Sequence, residues 1–238
     1  MIRFRRRPED RLALTHRPYV LVLLGLFSLW WAALAVSPVD RADWMLENGL
    51  VAVAVPLLVF TYRWLRLSRV SYTLIFLFLC LHEIGAHYTY AKVPYHDWLQ
   101  AIGMSLGSGR NHFDRIGHFA FGLLLAYPMR EIFVRVADAR GFWSYYLPLD
   151  MTMAFSMIFE LIEWAAAEIF GGDLGVAYLG TQGDPWDAQK DMALASLGGL
   201  IAMVITALII MRHQRDFTRE WVESLRVKPP GNRRRARG

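Results

Sequence analysis

Three aspartates stand close together where a glycine-rich turn leads into the last long apolar segment of the chain. They are Asp184, Asp187 and Asp191, within the stretch from Gly180 to Met192. Spacings of three and four residues place side chains on one face of an α-helix. Carboxylates that share a face can ligate a divalent cation or exchange protons with a substrate. The stretch therefore predicts a helix whose first turns present an acidic face.

A glutamate and a histidine share a helix face at the end of an earlier apolar segment. Glu83 and His87 lie one turn apart in the sequence Leu-His-Glu-Ile-Gly-Ala-His. This spacing is HExxxH and not the HExxH of zinc proteases, and His82 is displaced from His87 by about 140° around the helix. The two histidines cannot take one metal ion in the manner of those proteases without distorting the helix. The motif therefore predicts no protease.

Two further apolar segments carry ionisable side chains. Asp114 and His118 are four residues apart and stack an acid and an imidazole on one face. Glu160 and Glu163 continue a polar stripe in the following segment. An ionisable group near the bilayer centre costs roughly 2.5 to 3.5 kcal/mol on insertion scales, so these side chains are expected to face other helices and not lipid.

The composition defines the elements that must position these side chains. Hydrophobic residues make up 55% of the 238 residues, and they come in blocks close to the ~20 residues that a helix needs to cross a bilayer. The sequence predicts an all-α, polytopic membrane protein, a bundle of six transmembrane helices. A basic amino-terminal stretch, residues 1–17, and a basic tail, 212–238, flank one membrane domain, 18–211. The six apolar segments are Pro18 to Val36, Gly49 to Leu65, Val70 to Tyr90, Ile116 to Val134, Leu149 to Ile169 and Met192 to Met211.

The first apolar segment has one alternative interpretation. Its basic flank and the sequence Ala33-Leu34-Ala35 resemble a cleavable signal peptide. The apolar stretch is too long for that, and no secreted domain follows it. We therefore expect a membrane helix.

Lysine and arginine are distributed unevenly between the two sides of the expected bundle. One side, which includes both termini, holds 21 of the 26 basic residues. By the positive-inside rule that side is cytoplasmic, with both termini inside. The other side carries 13 of the 21 acidic residues and five of the seven histidines. Because the third and fifth segments end there and the fourth and sixth begin there, the ionisable residues of four helices are expected to converge.

Other features predict packing. Below Asp191 the same helix face continues with small residues that let another helix approach closely, namely Ala195, Gly198, Gly199 and Ala202. The lone cysteine, Cys80, lies within an apolar segment, so one chain offers neither a disulfide nor a thiolate metal site. The first two segments, with interfacial tryptophans and a short loop around Asp40 to Asp43, predict a structural role.

Each ionisable residue also has a structural interpretation. Asp184 suits a helix N-cap, and Asp187 would favour the dipole of the helix that follows. His87 and His118 are equally compatible with satisfied buried pairs and with a ligand or base, and Glu163 could pair with a basic residue of the outer side. A purely structural account must nevertheless explain some nine ionisable groups at one depth. Since buried charge stabilises poorly compared with apolar packing, a functional site is the more economical hypothesis.

Three stretches, at residues 81–90, 110–118 and 180–192, resemble the signature stretches of the YjdF-like family of bacterial inner-membrane proteins. The resemblance extends from about Tyr62 to Arg212 and implies a multi-pass inner-membrane protein. It supplies no established catalytic residue. A looser similarity, in acidic residues at the ends of small membrane helices, is to the VanZ-like proteins associated with glycopeptide resistance.

Three function classes remain open. The first is a metal-dependent membrane enzyme that acts on a lipid or lipid-linked headgroup, with a zinc, manganese or iron ion that lowers the pKa of a bound water. The second is an ion- or proton-coupled transporter, and the third is a non-catalytic envelope protein that binds an ion. For an enzyme, we assign chemistry to Glu83, Asp114, Glu163 and Asp187, and metal ligation to His87, His118, Glu160 and Asp191.

The expected partners follow from the charge distribution. The net charge of +5 does not indicate nucleic acid, because the basic residues are placed as topology determinants. The lipid bilayer and anionic lipid headgroups are the expected partners. The expected location is the bacterial inner membrane. The oligomeric state is left open by the sequence.

Overall fold

The computed structural model describes residues 8–101, 103, 109–213, 221 and 225, and it describes side chains from His16 onward except at 173, 174, 176, 177 and 213. Within these residues the chain forms eight α-helices and no strand, which confirms the all-helical fold. Residues 1–7 and most of the basic tail lie outside the described residues, whereas residues 8–17 of the basic amino-terminal stretch form the start of α1. The helices are α1 (Pro8–Leu34), α2 (Arg41–Thr61), α3 (Arg69–His87), α4 (Tyr95–Ala101), α5 (Phe113–Val136), α6 (Trp143–Phe170), α7 (Gly172–Leu179) and α8 (Asp187–His213).

Six of these helices are long, and each contains most of one of the six apolar segments. Helices α1, α2, α3 and α8 are long and apolar enough to cross a membrane. Helices α5 and α6 have 24 and 28 residues, which is sufficient length, but ionisable residues interrupt their apolar sequence. The short helices α4 and α7 lie in the connections that follow α3 and α6. Both connections are at the end of the bundle where the acidic residues were expected.

Helices α5 and α8 form the central contact of the bundle, and glycines allow their close approach. A Cβ added at Gly122 of α5 would lie 1.9 Å from the backbone oxygen of Ala195, and one added at Gly198 of α8 would lie 2.2 Å from that of Phe119. No side chain fits at such distances, so the two backbones pack directly against each other. The small-residue face below Asp191 therefore packs against α5.

Helix α3 is attached to α5 at the end of the bundle opposite to the acidic residues. The Glu131 carboxylate accepts hydrogen bonds from the Ser68 backbone N–H at 2.7 Å and from the Ser71 hydroxyl at 2.5 Å. Arg135, one turn further along α5, is 2.5 Å from the same carboxylate. Ser68 is itself the N-cap of α3 and accepts a bond from the Ser71 N–H. These contacts fix the register of α3 against α5, and with it the height of Glu83 relative to Asp114.

Candidate functional site

Buried ionisable side chains from five helices meet near one end of the bundle. The buried members expected from the sequence come from the last turns of α3, the first turns of α5 and α8 and the second half of α6. Each exposes less than a tenth of its surface, and they are His82, Glu83, His118, Glu160, Glu163, Asp187 and Asp191. Helix α2 adds two further acids, described below. We call these seven residues, Asp114 and the two acids of α2, Asp43 and Glu47, the acidic cluster.

Three carboxylates of the acidic cluster are close enough to hold one ion. Asp114, Asp187 and Asp191 each present an oxygen, and these oxygens all lie within 4.8 Å of one another. An ion bound at 2.0 to 2.6 Å holds its oxygen ligands about 3 to 5 Å apart. Asp191 is 2% exposed, and its Oδ1 has no hydrogen-bond partner among the described residues. The three oxygens are therefore spaced as ligands of one ion would be, and one of the three residues has a buried oxygen without a partner among the described residues.

His118 lies beside these three carboxylates. Its Nε2 is 3.7 Å from the Asp114 carboxylate and 3.3 Å from that of Glu160. The other ring nitrogen, Nδ1, is 3.4 Å from the Ser156 hydroxyl, which comes from the same face of α6 as Glu160. Because Ser156 holds one nitrogen, the second is directed towards the acids. Two residues assigned as metal ligands from the sequence, His118 and Glu160, are thus brought into contact.

Two arginines neutralise the outer edge of the cluster. Arg110 bonds to Asp187, and Arg115 Nη2 lies 3.0 Å from Asp187 Oδ1. Arg115 Nη2 also reaches Asp184 Oδ2 at 2.7 Å, where Lys190 Nζ binds the same oxygen at 2.5 Å. Asp187 is thus held by two guanidinium groups at the entrance, while none of the described arginine side chains pairs with Asp191 one turn deeper.

Asp184 closes the turn that leads into α8. Its Oδ1 accepts a hydrogen bond from the Trp186 N–H at 3.1 Å. The Lys190 ammonium and that backbone bond hold the pKa of Asp184 well below its ordinary range. Asp184 therefore remains a carboxylate, and the contacts are those of the helix-start role that its sequence position also allows.

Hydrogen bonds between side chains and the backbone join the two loops above the cluster. The Asn111 N–H donates to Gln182 Oε1 at 3.0 Å, and Gln182 Nε2 donates to the Asn111 carbonyl at 2.9 Å. Arg110 also donates to the carbonyls of Thr181 and Gly180. The chain before α5 and the chain before α8 thus form one rim. The glycine-rich sequence at Gly107 and Ser108 predicts a flexible turn before α5, and these two residues lie outside the described part of the chain.

The residues at the end of α3 have different surroundings. Glu83 is fully buried, and its carboxylate oxygens make no hydrogen bond of ordinary geometry within the described part of the chain, although the Asn48 side chain lies nearby. His82 Nδ1 is 2.6 Å from the Tyr90 hydroxyl, and its Nε2 is 3.2 Å from the Glu47 carbonyl. His87 Nδ1 lies 2.7 Å from the Leu34 carbonyl, at the contact between α1 and α3. His87 is therefore not part of the three-carboxylate group.

Glu163 completes the set of acids assigned from the sequence. It is 6% exposed and lies within electrostatic range of Asp114, Glu160 and Asp191. Glu163 was expected to be able to pair with Lys190 or Arg110. In the structure Lys190 binds Asp184 and Arg110 binds Asp187 instead. Glu163 thus belongs to the deep, acid-rich part of the cluster.

Helix α2 contributes two acids that the sequence interpretation missed. Asp43 is 1% and Glu47 5% exposed, and each has a carboxylate oxygen with no hydrogen-bond partner among the described residues. Glu47 lies within electrostatic range of Asp114 and Glu83. The signal was present, because Asp40, Asp43 and Glu47 repeat the spacing of three and four residues seen at the start of α8. The sequence alone places Asp40, Arg41 and Asp43 in a short loop beside interfacial tryptophans, which favours a structural role, whereas in the structure Arg41 and Asp43 belong to the first turn of α2.

The charge balance of the cluster limits what it can do. Buried acids from α2, α3, α5, α6 and α8 outnumber the two arginines at its outer edge. Uncompensated carboxylates are costly in a medium of low dielectric constant, so a cation or protons must balance the excess negative charge. The arrangement is suited to binding a positive ion and, next to His118, to moving a proton.

The fold and the cluster together define a helical integral membrane protein with an acid-rich site buried at one end of its bundle. Residues 19–212 match the family described as predicted membrane protein (DUF2238). The inner membrane protein YjdF of Escherichia coli (strain K12) is 40% identical over 183 residues, which cover 76% of this chain and 86% of that protein. The chain belongs to this family of membrane proteins, as the signature stretches indicated. No solved structure matches it.

Proposed function

We propose that this protein binds one divalent metal cation through Asp114, Asp187 and Asp191. The observation that carries the proposal is the approach of three carboxylate oxygens to within 4.8 Å, one of them on an aspartate that is 2% exposed and unpartnered at Oδ1 among the described residues. A divalent ion offsets the charge of two carboxylates at once. It also supplies the partner that Asp191 otherwise lacks.

The ligand set favours a hard or borderline ion. Three carboxylates suit magnesium or manganese, whereas an imidazole at the edge adds preference for manganese, iron or zinc. His118 and Glu160 lie next to the three aspartates, so a set of mixed oxygen and nitrogen ligands is within reach. Manganese meets both conditions, and we propose it as the first ion to test.

The site would open to the non-cytoplasmic face of a bacterial inner membrane. We propose six transmembrane helices, α1, α2, α3, α5, α6 and α8, with both termini in the cytoplasm. The excess of basic residues on the side of the termini supports this orientation. The relative from Escherichia coli is called an inner membrane protein, which supports the location.

We propose that the bound ion serves a metal-dependent reaction at a lipid or lipid-linked headgroup. The cluster lies at the ends of the helices, beside α4, whose Trp98 is 46% exposed and suited to the membrane interface. A bound ion would lower the pKa of a water molecule, and Glu163, which is assigned to chemistry and not to ligation, would accept the proton. Asp114 and Asp187 would orient the ion, with Asp187 held in place by Arg110 and Arg115.

An ion-coupled transporter is the second candidate, and one observation favours it. Thr152 and Ser156 are both buried, one turn apart on α6, and lead from His118 towards the other side of the membrane. Sealed proteoliposomes distinguish the two functions. A flux of manganese or protons that is lost in Asp191→Asn would establish the transporter, whereas binding without flux supports an enzyme or an ion-binding protein.

The direct test is metal analysis of the purified full-length protein. We expect about one equivalent of manganese after equilibration, and an affinity at least tenfold lower, about 1.4 kcal/mol, in Asp191→Asn. Asp150→Asn is the matched control, because Asp150 is an exposed aspartate at the other end of α6. Equal metal content in both variants, or none in the wild type across divalent ions, would contradict the proposal.

A further inference from the structure

The first three helices enclose a groove at the end of the bundle far from the acidic cluster. Within the described residues, α1 and α2 each pack on α3 and make few contacts with each other. They meet near their ends, where Trp31 Nε1 donates to Asn48 Oδ1 at 2.6 Å and where His16 Nδ1 lies 3.1 Å from the Tyr62 hydroxyl. Between these two contacts the helices are separated. The space has a volume of about 240 Å³.

The groove is apolar along its length. Its floor is formed by the buried side chains of Phe27, Tyr72 and Leu79. Its walls are aliphatic side chains of α1 and α2, and Leu21 and Val59 at its edges are 53% and 55% exposed. In a membrane those edges face lipid, so the groove opens sideways to the hydrocarbon of the bilayer. An acyl chain can enter it without crossing a polar surface.

The depth of the groove corresponds to one leaflet. Arg17 and Phe27 line its two ends on α1, and ten helical residues rise about 15 Å, half of the ~30 Å hydrocarbon core. The Arg17 end is where α1 enters its apolar segment and where α3 begins. A chain lying in the groove therefore belongs to a lipid whose headgroup is at that same surface.

Three arginines surround the Arg17 end. Arg17 lines the groove itself, Arg66 stacks over the Tyr62 ring at 5.6 Å and Arg69 stacks over the Tyr19 ring at 5.4 Å. Within the described side chains, none of these arginines pairs with a carboxylate. Their positive charge is therefore available to a ligand. A phosphate with a net negative charge complements it, and a zwitterionic headgroup does so less well.

We propose that this groove is a binding site for one anionic phospholipid, with an acyl chain between α1 and α2 and the phosphate at Arg17. The site lies in the opposite leaflet from the acidic cluster. It is independent of the metal proposal. The bound lipid fills the space that the separation of α1 and α2 leaves on α3, and it thereby holds α1 in place.

Native mass spectrometry of the full-length protein tests the proposal. The protein is released from bilayers of equal parts phosphatidylglycerol and phosphatidylethanolamine, and the retained lipid is counted. We expect one retained lipid per chain, with a preference for phosphatidylglycerol that falls about fivefold in Arg17→Gln. Leu24→Trp fills the groove with an indole and should remove the retained lipid of either headgroup.

Two control variants separate a built site from general adsorption. Arg63→Gln removes an arginine that stacks on Trp64 near the same surface but does not line the groove. Leu29→Trp adds an indole at a position that is 72% exposed and outside the groove. Both should retain the lipid as the wild type does. Equal losses in Arg17→Gln and Arg63→Gln, lipid retained in Leu24→Trp, or a dimer that covers the groove without lipid would overturn the proposal.

Discussion

Arg115 of α5 binds Asp187 of α8 across the entrance of the acidic cluster, with its Nη2 3.0 Å from Asp187 Oδ1. The pair is little exposed, 18% and 4% for the two side chains. It joins the first turns of the two helices that pack most closely through Gly122 and Gly198. The same contact that fixes α8 against α5 therefore also fixes one of the three carboxylates proposed to hold the ion.

Arg115 and Asp187 should be strongly coupled in stability. Removing either one takes away one of two charge partners of the other, because Arg110 still binds Asp187 and Asp184 still binds Arg115. The double variant Arg115→Ala, Asp187→Ala should therefore be less destabilised than the sum of the single variants by about 0.5–3 kcal/mol, the range for residues of one ion-pair network. Thermal unfolding in detergent measures the stability of the wild type, the two single variants and the double variant, which together form a double-mutant cycle. The exposed pair Arg140 and Asp138, at 2.9 Å, is the control and should show coupling of about 0.5 kcal/mol or less. If the effects are additive at both pairs, the buried pair has no measurable coupling free energy and the prediction is wrong.

Gly122 should tolerate no side chain. Gly122→Ala places a methyl group 1.9 Å from the Ala195 backbone oxygen, so the helices must separate and stability should fall by at least about 1–3 kcal/mol. Gly49→Ala is the control, since a Cβ there meets nothing within 4 Å. Alanine is the better helix former, so that variant should be unchanged or up to about 1 kcal/mol more stable. A mild effect of Gly122→Ala would show that α5 and α8 are not in direct backbone contact.

The stabilisation that Asp184 gives to the turn before α8 should be lost only at acidic pH. Because Lys190 and the Trp186 N–H hold the pKa of Asp184 below its ordinary value of 3.8, the charged form is favoured in the folded protein. Its stabilising effect is complete above pH 3.8 and is lost as the pH falls below that value. The difference in melting temperature between wild type and Asp184→Asn should therefore be constant from neutral pH down to about this point and then shrink. Asp97→Asn, at an exposed aspartate of α4, is the matched control for the substitution itself. A difference that changes near neutral pH would point to another titrating group.

His118 and His87 should differ in their effect on metal binding. His118 lies 3.3 Å from Glu160 and beside the three aspartates, so His118→Ala should lower manganese affinity at least tenfold, about 1.4 kcal/mol. His87 binds the Leu34 carbonyl, so His87→Ala should leave the affinity unchanged and lower the melting temperature. Isothermal titration of both variants measures the two affinities. Equal losses of manganese affinity in both variants would show that His87 is a metal ligand, as the sequence predicts.

The orientation can be tested with reporter fusions. Fusions after Arg69 and Arg140 should report a cytoplasmic location, and those after Asp97 and Asp173 should report the opposite side. The expectation rests on the excess of arginine and lysine on the side of the termini. An external signal after Arg140 would separate the acids of α5 from those of α6 and remove the basis for a common site.

The sequence by itself determined the class of protein and the depth of its acids. Block-wise apolar composition requires membrane helices, because the backbone must satisfy its own hydrogen bonds in lipid. Helical periodicity then places Asp187 and Asp191 on one face, and alternating direction brings the ends of four helices to one surface. These conclusions need only local geometry and the thickness of a bilayer.

Only the tertiary structure decided which faces meet. Helix rotation depends on packing between distant segments, such as the approach of Gly122 to Ala195, and no local pattern specifies it. For that reason Glu47, on a helix interpreted as structural, lies in the acidic cluster, whereas His87, one turn from Glu83, is directed to the Leu34 carbonyl of α1. Arg110 likewise binds Asp187, although its position in a loop allowed other partners. Spacing along the chain places a side chain on a face of its helix, and the packing of that helix against its neighbours determines what the face contacts.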